Sequence, residues 1–551
     1  MRTHGGRVRA ASSAAAAALW AFSGHAGAQS GASDAWPGLA GGPSRAALVH
    51  RPAPPLTPRR WTASADDTGS PVWFIPNAGM VVAGEGQASL VIGVGRVSRP
   101  GEPPGAPYAL AFAADTGEPR WSTPIDAPSL DSFSTPAIDA ARALVVIASG
   151  SEVAALRLND GVVLWKTQLP RPVVNASPLV VDEGPGTARV FITDYDGFGD
   201  AASLHCLRLD DLNEHGEPQT PGELLWSAPI GASSGNTPAY LPLARGGVGL
   251  VYVSTPGEEG EGPGIVRAFP AFADGQPCPA WSFQNVLDAG FFGGLSIREP
   301  DAPGEHPHVF AASYAFFGGL TNSNLVKLDA CSGTLVWSAP ASRTSAIPAL
   351  LPGGRILLSG GISGFGSVPS VRLYADAGAT VATVWDSALD SWVDADHDGT
   401  IDPGEYLRVG GWSNQPVVFE FAGSTLAACG VPGTGAANTH PSDLLLLDLS
   451  EHPSAPSFVR ASHPGIGASP AAGGLMLFAT GAGGLGALGI PAGTLDLNAD
   501  GSSTIDDLYA WETGLGMRDL DASGVTDAAD RAWLITRVRL PVRTPAAPVT
   551  P

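Results

Sequence analysis

From about residue 59 the chain alternates short apolar runs with tight turns, too short for helices and too regular for loops. One half of the pattern recurs as "YALAFAADTGEPRW" ending at Trp121, "VAALRLNDGVVLW" at Trp165 and "NLVKLDACSGTLVW" at Trp337. Looser copies end at Trp226, Trp281 and Trp385, and a degenerate one at Phe458. Each reads as an apolar strand, an Asp or Asn with a nearby Gly at a turn, and a second strand closing on a large aromatic. The other half opens with proline before a small or β-branched run: "GSPVWF" (Pro71), "STPAI" (Pro136), "ASPLVV" (Pro178), "NTPAY" (Pro238), "AIPALL" (Pro348), "NQPVVF" (Pro416) and "ASPAAGGLMLF" (Pro470). "GGLSI" at Leu295 fills the remaining gap without a proline. Proline at the first residue of a strand costs no ladder hydrogen bond.

Openings and closings alternate, and the eight openings average 57 residues apart. A unit of that size holding four short strands is a propeller blade. The expected fold class is therefore all-β, an eight-bladed β-propeller over residues 59–490, with seven blades as the fallback. The last unit has no closing tryptophan, whereas an orphan, Trp61 in "RRWTAS", precedes the first opening. If the N-terminal strand completes the last blade, the ring shuts and no exposed sheet edge is left. The apolar stretch "GLMLFATGAGGLGALGI" over 474–490 is short and glycine-rich for a membrane span and reads as two buried strands.

Composition adds the setting. Gly and Pro make up 121 of 551 residues and charged residues only 15%, which suits a turn-rich β protein. Arg2, His4, Arg7 and Arg9 precede an alanine-rich apolar run and Ala26-Gly27-Ala28, a small-x-small cleavage site. Residues 1–28 are read as a secretory signal peptide, which places the protein outside the cytoplasm: secreted, periplasmic or on the surface of a bacterial envelope. Residues 29–58, rich in Pro, Gly, Ala and Ser, read as a linker or loosely held arm. The net charge of −22 argues against nucleic acid or anionic membrane as a partner. Cys206, Cys278, Cys331 and Cys429 match no zinc spacing, and they leave disulfide connectivity open.

Units such as "AFAADTGEPRW" and "KLDACSGTLVW" resemble the PQQ-like β-propeller repeat. That superfamily holds quinoprotein dehydrogenases and the non-catalytic propeller subunit of the outer-membrane β-barrel assembly machine. The resemblance implies that each closing Trp packs between neighbouring blades. It implies fold far more than function. The quinoprotein dehydrogenases hold PQQ over a calcium beside an adjacent-cysteine disulfide. This chain has no Cys-Cys pair and no matching cluster of acids and amides in its blades, so PQQ is not expected.

Three acidic loops stand apart from the blades. "DADHDGTIDPGE" offers Asp394, Asp396, Asp398, the Thr400 carbonyl, Asp402 and Glu405 at the positions of a 12-residue calcium loop, with Gly399 at the turn. It interrupts a link of 31 residues, Trp385 to Pro416, where the other links run 11–15. Two further loops follow the last blade. One offers Asp496, Asn498, Asp500, the Ser502 carbonyl, Thr504 and Asp507; the other Asp519, Asp521, Ser523, the Val525 carbonyl, Asp527 and Asp530. Each precedes a short helical segment, and Leu508, Trp511, Trp533, Leu534 and Ile535 suggest a small shared core. The pair, over 491–540 with a tail at 541–551, resembles a type I dockerin, a calcium-folded module that docks onto a cohesin. Positions 10 and 11 depart from the usual Ser/Thr pair as Ile505-Asp506 and Ala528-Ala529, which puts ordinary cohesin recognition in doubt. The loops carry 13 of the 52 acids, and three calcium ions would bring the net charge to −16.

Catalytic signals are weak. Asp194 and Asp196 in "TDYDGFGD" are acids by type only and read as a solvated turn; His306 and His308 in "EHPHVF" read as an exposed loop. No catalytic residues are assigned. The favoured function is an exported non-catalytic scaffold for protein or glycan binding, with a glycan or envelope protein as partner of the propeller and a protein such as a cohesin-like receptor as partner of the calcium-dependent dockerin-like module. The runner-up is an extracellular enzyme, polysaccharide-active or a divergent quinoprotein dehydrogenase.

Overall fold

The computed structural model describes residues 36–84, 89–128, 130, 134–197, 199–257, 262–300, 302, 304–315, 322–362, 367–391, 405–421, 423–433, 441–450, 459–490, 505–513, 531, 534 and 535. Eight antiparallel sheets follow one another along the chain, and consecutive sheets touch. Their innermost strands begin at Val72, Ala137, Leu179, Ala239, Leu295, Ala349, Val417 and Ala471. Each begins at, or one residue after, an opening read from the sequence. Eight blades are present, and the seven-blade fallback falls away.

Closure is also as the orphan tryptophan implied. Arg59–Ala63 pairs antiparallel with Gly484–Ile490, giving the last blade its fourth strand. The apolar stretch at 474–490 is two buried strands, Leu475–Gly481 and Gly484–Ile490. Among the described residues no helix is long and apolar enough to cross a membrane.

Burial follows position within the blade. Middle strands such as Leu144–Ser149 are covered on both faces by neighbouring blades and are buried at every residue. Outermost strands such as Val163–Gln168 alternate between half-buried and exposed. Just before the closing aromatic the ladder slips by one residue, as at Ala111/Phe112 opposite Trp121 and Ala155/Leu156 opposite Trp165. The bulge twists the strand end and turns the indole toward the next blade. Trp61 donates to the Ala114 carbonyl at 3.0 Å, Trp121 to Leu158 at 2.9 Å and Trp281 to Ala330 at 2.9 Å, each in the following blade. The glycine of the repeat turn makes this possible. Gly117 has φ +73°, and a Cβ there would sit 2.5 Å from the Trp61 ring. The tryptophans are therefore packing residues, as the repeat implied.

The closing strand is also held from the side. Arg59 donates from Nε to His463 Nε2 at 3.0 Å and from Nη2 to the Pro464 carbonyl at 2.5 Å, both on blade 7. Burial, then the charge of Arg59, holds the His463 imidazole below its ordinary 6.5. The fold thus prefers the neutral ring, and the unfolded chain takes up the proton first as pH falls through 6.5. Stability from this site is complete above that pH and is lost below it. A Tm series from about pH 7.5 to about pH 5 should fall less steeply for His463→Gln than for the parent. Parallel curves would remove His463 from the account.

Residues 36–58 are not a loose arm. Trp36 exchanges two backbone hydrogen bonds with Val82, and Leu48–Val49 runs parallel to Val417–Phe421. The segment between them lies against the innermost strands. The expectation of a linker failed because Pro and Gly served here to bend a packed chain, not to loosen it.

Candidate functional site

In a propeller, the inner edge of each blade leaves backbone groups facing the central channel. Here the N-terminal strap satisfies such groups in five of the blades. The carbonyls of Pro37, Pro43, Ser44, Ala46 and Ala47 accept from the amides of Ile138, Tyr240, Ile297, Leu350 and Val418, at 2.8–2.9 Å. Each donor lies two residues after its opening at 136, 238, 295, 348 or 416. The strap thus binds the same repeat position in blades 2, 4, 5, 6 and 7.

Arg45, 1% exposed, extends the contact to blade 3. It donates to the carbonyls of Pro178 at 2.9 Å, Pro238 at 3.3 Å and Leu39 at 2.8 Å. Burial pulls its guanidinium pKa down to about 9. Arg45 and Ala47 have φ of +57° and +55°, a left-handed conformation that non-glycine residues adopt only when packing holds them.

At the end where the inner strands begin, a cavity of about 100 Å³ remains, with Leu39 of the strap among its lining. Its wall includes an aromatic group. Phe292 stacks on Tyr314 with centroids 4.6 Å apart, and Tyr314 meets Trp412 edge-on at 6.3 Å. The Arg343 guanidinium lies 4.7 Å from the Tyr314 centroid. Burial pushes the Tyr314 phenol above its ordinary range, with Arg343 opposing.

The polar groups of the mouth are largely spent on joining blades. Thr135 N donates to Ser177 Oγ at 2.9 Å, Ser177 N to Thr237 Oγ1 at 3.0 Å, and Gln415 N to Ser469 Oγ at 2.9 Å. Gln415 Oε1 accepts from Ile347 N at 2.8 Å while its Nε2 donates to Ile347 O at 3.1 Å. All these residues stand immediately before an opening proline. Asn236 Nδ2 similarly donates to Phe291 and Gly293 carbonyls of the next blade. The sequence carried this signal, a polar residue before proline in most units, and reading it only as a strand start missed it.

The other candidates fall elsewhere. Asp194 is buried rather than solvated. Its Oδ1 accepts from Ser203 N at 2.7 Å and its Oδ2 lies 3.0 Å from His205 Nε2, whose Nδ1 is 2.7 Å from Ser227 Oγ. The row crosses three strands of blade 3 and joins them. Asp196 is half-buried, accepting from Ala201 N. His306 is exposed, as expected, with Nδ1 2.7 Å from Asp329; His308 is half-buried and held below its ordinary range by burial, then by Lys327. The four cysteines are unpaired, and burial pushes Cys206 up to about 12.

Asp394–Gly404, Asp496–Thr504 and Asp519–Asp530 lie outside the described residues. Glu405 is half-buried, and Asp507 falls within the helix Ile505–Glu512. Leu508, Trp511 and Leu534 are buried; Ile535 is 41% exposed.

Residues 4–239 match the family described as outer membrane protein assembly factor BamB. A europium-containing methanol dehydrogenase is similar over 92% of this chain and 96% of its own, at 12% identity and TM-score 0.53. The quinohemoprotein alcohol dehydrogenase of Comamonas testosteroni is similar over 82% and 77%, at 12% identity and TM-score 0.51. The fold is a PQQ-type propeller. At such identity the likeness extends to the fold alone. BamB from Moraxella catarrhalis aligns over 78% of this chain and 96% of its own at 13% identity and TM-score 0.42. No curated protein matches the sequence.

The fold raises the question of a calcium-held quinone. Calcium takes six to eight oxygens, carboxylates prominent among them. The described lining of the cavity at the channel mouth offers amides, hydroxyls and aromatic rings, but no carboxylate. These residues do not fit that group.

Proposed function

We propose that this chain is an exported, non-catalytic propeller that holds a protein or glycan partner, tethered through its C-terminal acidic loops when they bind calcium. One observation carries the reading: the channel where a propeller enzyme would place its chemistry is crossed by the protein's own strap. The polar groups left at the mouth are mostly committed to joining blades. A rigid ring of this kind offers binding faces at its rim rather than a reaction chamber. The relation to BamB-type propellers supports a protein partner, and an export signal supports a place in the envelope or outside it. The paired acidic loops, separated by the amphipathic helix Ile505–Glu512, support a calcium-folded tether.

The test is a pull-down from the source organism's envelope and culture fluid. Baits are the mature chain with and without residues 491–551, in calcium and in EDTA. A partner retained only with calcium and only with the tail is the expected result. Capture independent of both would sink the tether. Turnover in a quinone-reconstitution or glycan-hydrolysis screen would sink the non-catalytic reading.

A further inference from the structure

On blade 5 the strands His308–Ala312 and Asn324–Asp329 pair with His308 opposite Asp329. The bond from Ala330 N to Pro307 O carries the ladder one step further. That register places His306 opposite Cys331, with Asp329 between them on the same edge. An imidazole nitrogen, a carboxylate oxygen and a thiol sulfur therefore converge, and their ligand atoms all lie within 4.8 Å of one another.

The turn that presents two of these groups is held rigid. The Ala330 carbonyl, between Asp329 and Cys331, accepts from Trp281 Nε1 at 2.9 Å and Tyr252 Oη at 3.1 Å, both on blade 4. Asp329 Oδ1 accepts from the amides of Cys331 and Ser332 at 3.0 and 2.8 Å, leaving Oδ2 facing His306 at 2.7 Å. One oxygen builds the turn and the other is offered outward, the usual support for a metal-bound carboxylate.

The repeat does not demand this trio. Four and two residues before the turn glycine, blade 1 has Ala113 and Asp115, and blade 2 has Arg157 and Asn159. The residue facing Asn159 in blade 2 is Arg142, by extension of its ladder. Only the glycine and the partner tryptophan recur for the sake of the fold, so His306, Cys331 and the outward Oδ2 of Asp329 are free of that duty.

We propose that His306, Asp329 and Cys331 form a binding site for a divalent transition-metal ion, with zinc the best match. A set of N, O and S donors suits zinc, whereas calcium requires a cage of oxygens. Zinc bonds of about 2.0–2.3 Å set tetrahedral ligand separations near ~3.5 Å. The exposed His306 ring and the Cys331 side chain close that gap by rotation while Asp329 stays in place. The thiol proton leaves to solvent on binding. A fourth position, on the exposed side of His306, is open to water or a partner's side chain.

Cobalt(II) is the probe, titrated into the full mature chain with calcium in excess to occupy oxygen sites. The expected result is a near-ultraviolet thiolate-to-cobalt band that saturates near one equivalent and is bleached by zinc. Cys331→Ser should abolish the band, and Cys278→Ser should leave it intact. His306→Gln should weaken cobalt binding beyond the ~10–100-fold typical of losing an outer-shell partner. Circular dichroism and thermal unfolding of the three variants should match the parent, since none of the substituted groups is in the core. The site is overturned by absence of the band, by its persistence in Cys331→Ser, by its loss in Cys278→Ser, or by an unchanged titration of His306→Gln.

Discussion

A chain shortened to begin at Ser64 is expected to lose its cooperative native state. The cut removes Arg59–Ala63, and with it the outermost strand of blade 8 and its ladder to Gly484–Ile490. It also removes the Trp61 ring from the face of Gly117, the contact with Phe478 at 5.9 Å, and both Arg59 bonds to blade 7. Removing a packed tryptophan alone costs about 3–5 kcal/mol, set against a whole-domain stability of about 5–15 kcal/mol. The loss of a ladder and of the strap comes on top. The exposed edge, "GLGALGI", would be long, flat and apolar, so the shortened chain should associate through it. Calorimetry and size-exclusion chromatography provide the readout: no sharp transition, and material larger than a monomer. A chain beginning at Leu56 separates the two parts of the N-terminus, since it keeps the closing strand without the strap. It should retain one transition at a lower temperature. A Ser64 chain that melts sharply as a monomer at the parent's midpoint would refute ring closure as the source of stability.

Arg45→Ala is expected to release the strap without opening the ring. The arginine holds three carbonyls on two blades and on the strap itself, in a space that solvent scarcely reaches. Its loss leaves buried acceptors unpaired, at about 1–3 kcal/mol each, and a cavity in addition. Burying the charge is itself costly, so a net loss near ~3 kcal/mol is the reasonable expectation. In a protein this large that energy moves Tm little, and local opening is the better observable. Amide exchange at Ile138, Tyr240, Ile297, Leu350 and Val418 should accelerate roughly a hundredfold, since 1.36 kcal/mol is a factor of ten. Lysine should not rescue it, because one ammonium cannot reach three carbonyls in the fork geometry of a guanidinium. Unchanged exchange at those five amides would mean that the backbone bonds alone hold the strap.

The blades were legible because a local rule recurs around the ring, with proline at seven of the eight openings and tryptophan at seven of the eight closings. Proline before the inner strand, glycine at the turn and tryptophan at the close are all demands of a single blade and its neighbour. Trp61 could be assigned to the last blade because an unpaired half-unit at each end has one economical solution. The polar residue before most opening prolines was present in the same repeats. Its role lies in the next blade, so reading units one at a time passed over it. Asp194 was misplaced for a related reason: "TDYDG" has the composition of a turn, and only pairing across three strands puts His205 beside it.

The sequence by itself determined what depends on short range and repetition: the strands, the count of eight and the closure by an N-terminal strand. The tertiary structure decided what depends on which distant groups meet. It turned a Pro- and Gly-rich segment into a strap across the channel, because inner edges leave backbone donors that some carbonyl must satisfy, as the strap does in five blades. It brought His306 opposite Cys331, because the register of one strand pair, not the spacing of 25 residues between them, sets their distance.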